Sequence, residues 1–483
     1  MTATTNAGYR QAVTWSFGDG SVMLPGMLPY ERSHFWPVVF LAVGLGTLTS
    51  CTNGEPDGSN SANNQDSAAR LTVATVNNSD MIIMQRLSAE FEKETGIGLD
   101  WVVYEENLLR QRVTTDIATG GGQFDVITIG SYETPIWGQE GWLMTLDDLG
   151  EGYDYDDLLA PVRESLSVKG SLYAVPFYAE SSFTYYRKDL VEEAGLEMPA
   201  KPTYKQIAEL AQKLHDPENG VYGICLRGKP GWGENMAYVG TLVNTFGGRW
   251  FDMDWEPQLD SPEWIDAVTF YVNLLKNFGP PGASTNGHNE NRALYASGHC
   301  AIWIDATAAA GYIYDPRESK VADKTGFVQA PIAKVPNGSA WSWCWALAIP
   351  SSSKKAAIAK RFLAWATSKE YVRRVGETEG WTLAPPGTRE STYASNEYTT
   401  AAPFAGAVHE AILASDPNNP TAAPVPYTGV QFVAIKEFQA IGTRVGQAVS
   451  GALAGQTSVK EALETAQRTV ERTMEQAGYG SGR

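Results

Sequence analysis

Basic residues are scarce in this chain. Lys and Arg number 37 against 55 Asp and Glu, for a formal net charge of -18. A nucleic-acid binder needs a cationic face to neutralise phosphate, so no nucleic-acid partner is expected. An anionic membrane surface suits the folded body no better. Histidine is scarcer still, with 5 residues, and cysteine has 4. No HExxH, CxxC, GxSxG or GxxxxGK[ST] pattern occurs. Zinc-peptidase, redox-thiol, serine-elbow and phosphate-loop chemistry therefore have no local support. The run GKPGWG at 228–233 has the wrong spacing for a phosphate or dinucleotide loop. No cofactor, no metal and no enzymatic activity are expected.

Near the start, residues 35–48 (FWPVVFLAVGLGTL) form an apolar run. It is short for a membrane span and suits the core of a secretory signal. It ends in Leu48-Thr49-Ser50-Cys51, a branched residue and two small ones before Cys. That arrangement resembles the lipobox of bacterial lipoprotein signals, which makes Cys51 the expected lipidation site. Residues 1–50 are then a leader. Residues 1–26 read as neither signal nor fold, so the true start is expected at Met23 or Met27. The stretch 52–69 (TNGEPDGSNSANNQDSAA) is a flexible tether by composition, and 51–70 is assigned to it. The expected location is a lipid anchor on the cell membrane, facing the extracellular or periplasmic side, with the lipid as the sole membrane contact.

The other cysteines, Cys225, Cys300 and Cys344, are odd in number and widely spaced. They form neither a disulfide framework nor a metal pattern, and are read as small buried apolar residues. A Cys225–Cys300 bridge in the export compartment is the alternative.

What the chain does have is hydrophobic content of 43%, enough for sizeable cores. From Leu71 onward strands and helices alternate. Residues 71–76, 99–104 and 124–129 read as strands. Ile83, Leu87 and Phe91 mark one helix face between them, and Leu109, Val113 and Ile117 another. Ser79 and Asn107 are the expected caps. This order predicts an α/β fold with a parallel sheet, whose ligands sit beyond the carboxyl ends of the strands. Those ends carry Asn77-Asn78-Ser79, Glu105-Glu106-Asn107 and Gly130-Ser131-Tyr132. The acidic run 147–157 fails the register of a calcium loop and is read as a solvated helix start.

There are 15 Trp, several beside polar residues in expected loops. Trp232 lies in a glycine-rich loop between Arg227 and Asn235. Trp303 is two residues from Asp305. Trp341, Trp343 and Trp345 alternate and so share one strand face, and Trp381 follows a glycine. A polyol offers C–H bonds to an aromatic plane and hydroxyls to paired donors and acceptors, so this mixture suits one. Core packing is the plainer reading of any single Trp.

Several runs are similar to bacterial extracellular solute-binding proteins of the sugar type. The first strand is followed by Asn-Asn-Ser-Asp, then come LRQRVTTDIAT at 109–119 and FDVITI at 124–129. Further runs are YGICLRGKPGWGENM at 222–236, FGPPGAS at 278–284, IWIDAT at 302–307, PPGTR at 385–389 and PYTGVQFVA at 426–434. These longer runs resemble the sorbitol/mannitol-binding components of polyol ABC importers in particular. The resemblance implies a two-lobe periplasmic-binding-protein-like fold (type II), with ligand in the cleft and hinge closure around it. It implies lobe one at 71–178 plus 349–386 and lobe two at 179–345 plus 387–483. It places Asn78 and Tyr132 on lobe one and Glu180 at the first crossover. Arg227, Trp232, Asn235 and Asp305 come from lobe two, and Trp343, Trp345 and Trp381 wall the other crossovers. Arg227 is expected to donate to two hydroxyls, Glu180 and Asp305 to accept from others, and the Trp faces to sandwich the carbon chain. The implied partners are a small polyhydroxylated ligand and the permease subunits of an ABC importer, with the protein a monomer. A disaccharide or oligosaccharide binder of the same fold, a glycosidase built on Glu180 and Asp305, and a lipoprotein with no transport role are the alternatives.

Overall fold

A computed structural model of the protein describes residues 69–480. The leader, Cys51 and nearly all of the expected tether lie outside the described residues. The first strand, Arg70–Val76, pairs in parallel with Gly98–Tyr104 on one side and Val126–Gly130 on the other. The helix Ser79–Thr95 joins the first two strands. It buries Met81, Met84, Leu87 and Phe91 on one face, and Gly96 ends it in a left-handed conformation (φ 71°). Asn78 occupies the cap position expected for Ser79. The helix Glu106–Thr119 is capped by Glu105, whose carboxylate accepts from the N–H of Asn107 and Leu108, and not by Asn107. A carboxylate at a helix start also meets the positive end of the helix dipole.

Two further strands complete this sheet, both antiparallel to their neighbours. Trp343–Ala348 pairs with Val126–Gly130, and Val175–Glu180 forms the outer edge. A second sheet runs in the order Thr325–Gln329, Ser182–Arg187, Cys300–Ala306, Tyr222–Cys225. The chain passes from the first sheet to the second between Glu180 and Ser182, so Ser181 alone separates them. Helices Asn235–Thr245, Pro262–Phe278, Phe438–Leu453 and Val459–Gln476 pack together beside the second sheet.

The chain's other passages between lobes fall elsewhere than the sequence implied. Trp343, Cys344 and Trp345 were expected in lobe two, yet they pair with Glu180, Ala179 and Tyr178 inside the first sheet. Residues 387–413 were expected there too. Arg389 instead holds them to the first lobe: its guanidinium is fully buried and donates to the carbonyls of Tyr153, Asp154 and Thr367 and to the Asp157 carboxylate. Asp157 is therefore a structural anchor rather than part of a solvated helix start. The passage to the second lobe comes later, where Thr421 donates to the carbonyl of Asn244 and Tyr427 accepts from the N–H of Trp250.

Cys225 and Cys300 are bonded to each other across neighbouring strands of the second sheet, with Cα atoms 6.0 Å apart. The expectation of three isolated apolar cysteines holds for Cys344 alone, which is free and buried. The bridge closes a span of 75 residues. Opening it, by reductant or in a Cys225→Ala/Cys300→Ala variant, is expected to lower unfolding free energy by about 2–4 kcal/mol. Urea denaturation with and without reductant measures this. Coincident curves would mean that the bridge contributes nothing.

Candidate functional site

A cavity opens at the carboxyl ends of the first two parallel strands, where Asn77, Asn78, Glu105 and Glu106 face the loop and helix residues of the second lobe. The third strand end does not reach it. The ring of Trp343 lies against Gly130 so closely that a Cβ there would fall 2.0 Å from it. The indole thus occupies the space in front of that strand. The cavity holds ≈ 150 Å³ that the centre of a water molecule can reach. That is room for several waters, and so for a small solute.

Six of the ten residues named from the sequence line this cavity: Asn78, Glu180, Arg227, Trp232, Trp343 and Trp345. The other four stand behind it or beside it. Asp305 is fully buried and grips Arg227, which donates Nε to Oδ2 (3.0 Å) and Nη2 to Oδ1 (2.6 Å). Tyr132 donates its hydroxyl to the carbonyl of Ile435 and accepts from the N–H of Gln439. Asn235 braces the glycine-rich loop by accepting from Gly231 N–H and donating to the Gly446 carbonyl. Trp381 starts the short turn Trp381–Leu383 and packs on Gly376, leaving Thr382 and Leu383 to face the cavity.

Two expected roles change with these contacts. Three of the five Arg227 N–H groups are taken by Asp305 and the Gly233 carbonyl, so the guanidinium is chiefly an internal partner. The Trp232 face is covered by the Arg110 guanidinium at 3.9 Å. Arg110 also lies 5.0 Å from the Trp343 ring and 4.9 Å from Trp345, and it bonds to Glu106 and Glu133. A cation on these rings is attracted by their quadrupole, and the two carboxylates fix where it sits. In the sequence Arg110 is marked only as part of the run at 109–119. Its signal was its place on the first helix turn after Glu105-Glu106.

Sequence reading also missed Asp80, Tyr178, His288, Arg292 and Trp341, all of which line the cavity. Asp80 follows a strand end that was noticed, and Trp341 belongs to the alternating run. Nothing local marked His288 or Arg292, which reach the cavity from a helix 200 residues downstream of the first strand, roughly the size of a whole domain. Contacts between the lobes rim the site. Lys229 pairs with Glu105 at 2.6 Å, Asn107 donates to the Pro230 carbonyl at 3.3 Å, and Arg292 donates to the Ser79 hydroxyl.

Charge inside the site is unevenly paired. Burial works to lower the pKa of Arg227 and raise that of Asp305, but their mutual charge prevails and Asp305 lies well below the usual carboxylate range. Burial, and the charges of Arg227 and Arg292, lower the His288 pKa against the pull of Asp305. A neutral His288 beside an ionised Asp305 must donate its Nδ1–H, across 2.8 Å. Glu180 is different: burial pushes it up to about 8, although Arg227 pulls it down. Burial likewise pushes Asp80 up to about 7.

Residues 77–373 match the family described as "Bacterial extracellular solute-binding protein". The chain belongs to this family. The solute-binding protein is 58% identical over 381 residues to a mannitol-binding protein of Pseudomonas aeruginosa, covering 79% of this chain and 87% of that one. Among solved structures it resembles an ABC transporter solute-binding protein from Agrobacterium vitis S4 with bound D-mannitol. There the TM-score is 0.84 at 57% identity, covering 85% of this chain and 100% of that one. A solute-binding protein from Agrobacterium radiobacter K84 in complex with ribitol gives 0.75 at 26% identity, covering 84% and 98%. The two-lobe type II fold of periplasmic binding proteins is thereby shown. Among the described residues no helix is long and apolar enough to cross a membrane.

The raised Glu180 carboxyl makes stability depend on pH. Between the ordinary glutamate value of 4.5 and about 8, the folded protein holds a proton that the unfolded chain has lost. Its contribution is therefore complete below the lower value and is lost as pH rises through the higher. Without solute, the stability of the solute-binding protein, and with it the melting temperature, is expected to fall over this window, with Glu180 contributing at most about 1.4 kcal/mol per pH unit. Glu180→Gln should flatten the slope, as read by thermal denaturation across pH. A slope unchanged by the variant would reject the assignment.

Proposed function

We propose that the protein captures a small acyclic polyol of the mannitol kind between its lobes and delivers it to the membrane subunits of an ABC importer. The observation that carries this reading is a cavity lined by free carboxyls and indoles in a chain with a mannitol-binding relative at 58% identity. Glu180 accepts from one hydroxyl of the solute and Asn78 donates to another. Trp345, Trp343 and Trp341 offer apolar edges to the carbon chain. Arg110, Asp305, Asn235 and Tyr132 position these groups from behind, and Trp381 carries the turn that closes one end. Closure is favoured by contacts that a solute makes to both lobes at once. Cys51 carries the lipid that keeps the protein, as a monomer, at the outer face of the cell membrane. The solute is released unchanged.

Isothermal titration calorimetry of residues 69–483 is expected to show one site for D-mannitol or D-sorbitol and no heat with maltose. A solute at about 100 times its Kd should add about 2.7 kcal/mol of stability. Glu180→Ala should weaken mannitol by about ten- to a hundredfold, the loss of a hydrogen bond to a charged or strongly polar group. Maltose binding without hexitol binding would overturn the reading.

A further inference from the structure

Two carboxyl groups in the cavity lack a cationic partner. Glu180 is 8% exposed, faces the cavity and accepts no hydrogen bond among the described residues. Asp80 also faces the cavity and has only its own backbone N–H. The neighbouring carboxylates are all engaged. Glu105 and Glu234 hold Lys229, Glu106 holds Arg110, and Asp305 holds Arg227. The nearby cations are engaged as well. Arg227 gives its donors to Asp305 and Gly233, while Arg292 bonds to Ser79 and lies 4.3 Å over the Tyr312 ring. Glu180 thus senses Arg227, Asp305, Glu106 and Asp80 through space only, and Asp80 senses Arg292. Carboxylates outnumber cations around the cavity, and the surplus is concentrated on these two groups.

We propose that the same cavity also takes amino-alditols, acyclic polyols in which a primary ammonium replaces one hydroxyl, with the ammonium beside Glu180 and Asp80. This extends the polyol-capture reading and rests on it. An ammonium brings three N–H donors, and charge-assisted hydrogen bonds are about twice as strong as neutral ones. It also supplies the opposite charge that the two carboxyls lack. Carboxyls that hold protons in the free protein then ionise against it, so binding releases protons to solvent. A neutral alditol gives no such release. An aldonate offers these carboxyls no charge to ionise against and adds an anion to a cavity already richer in carboxylates than in cations, so it is rejected.

Calorimetry on the protein near neutral pH, with D-mannitol, 1-amino-1-deoxy-D-mannitol and D-mannonate, tests this in phosphate and in Tris. The amino-alditol is expected to bind at least as tightly as mannitol. Its enthalpy should differ between the buffers, because each takes up the released proton with a different heat, whereas that of mannitol should not. Mannonate should bind about a hundredfold more weakly than mannitol, and Glu180→Gln should lower the amino-alditol to mannitol affinity ratio by about tenfold. Mannitol binding with a weaker amino-alditol, or a buffer-independent enthalpy for both, overturns the proposal. Failure of mannitol itself to bind sinks the polyol reading, and this one with it. The wild-type measurements decide the matter even if the variant does not fold.

Discussion

Ser181 is the one residue between the two sheets, and both of its polar arms are tied. Its N–H donates to the Thr307 hydroxyl at 3.0 Å and its own hydroxyl to the Trp341 carbonyl at 2.8 Å. Thr307 and Trp341 border the cavity from the ends of other segments. A connection this short leaves no slack. The last side chain of one sheet, Glu180, is held at the mouth of the other, and Trp343 is brought opposite it by strand pairing. The cavity therefore lies where the sheets change over, with this connection as its floor.

Around that floor the polar groups divide into two sets. One set is spent on the protein itself. Asp305 and His288 fix Arg227, and Glu106 and Glu133 fix Arg110 against three indoles. Such buried pairs contribute little net stability, because desolvation offsets most of their attraction, but breaking one leaves a charge stranded. Their effect is to hold the walls in one arrangement. The other set, Glu180 and Asp80, is left without a cationic partner toward the cavity, and these are the groups the proposed solute would meet.

The alternation of strands and helices in the sequence foretold the three parallel strands of the first sheet, and two of their three carboxyl ends border the cavity. The third failed because periodicity says nothing of what packs in front of a strand, here the indole of Trp343. Residue type alone could not separate residues that face the cavity from those that brace it. Asp305 and Arg227 look equally free in the sequence, but their pairing spans 78 residues and appears only in three dimensions. The lobe boundary at 387 was misplaced for a similar reason. Pro385-Pro386-Gly387 reads as a crossover, but the buried fan of bonds from Arg389 keeps the chain at home. His288 and Arg292 lie on a helix whose sequence carries no motif, and folding alone brings them to the site.

The Cys225–Cys300 bridge joins the two strands that go on to carry Arg227 and Asp305. Bonds of this kind persist where thiols are not held reduced, outside the cytoplasm. Where thiols are held reduced that tie is absent, and the strands that bear Arg227 and Asp305 lose the bridge's share of their stability. The rigidity of one wall of the cavity is thus coupled to an oxidising compartment.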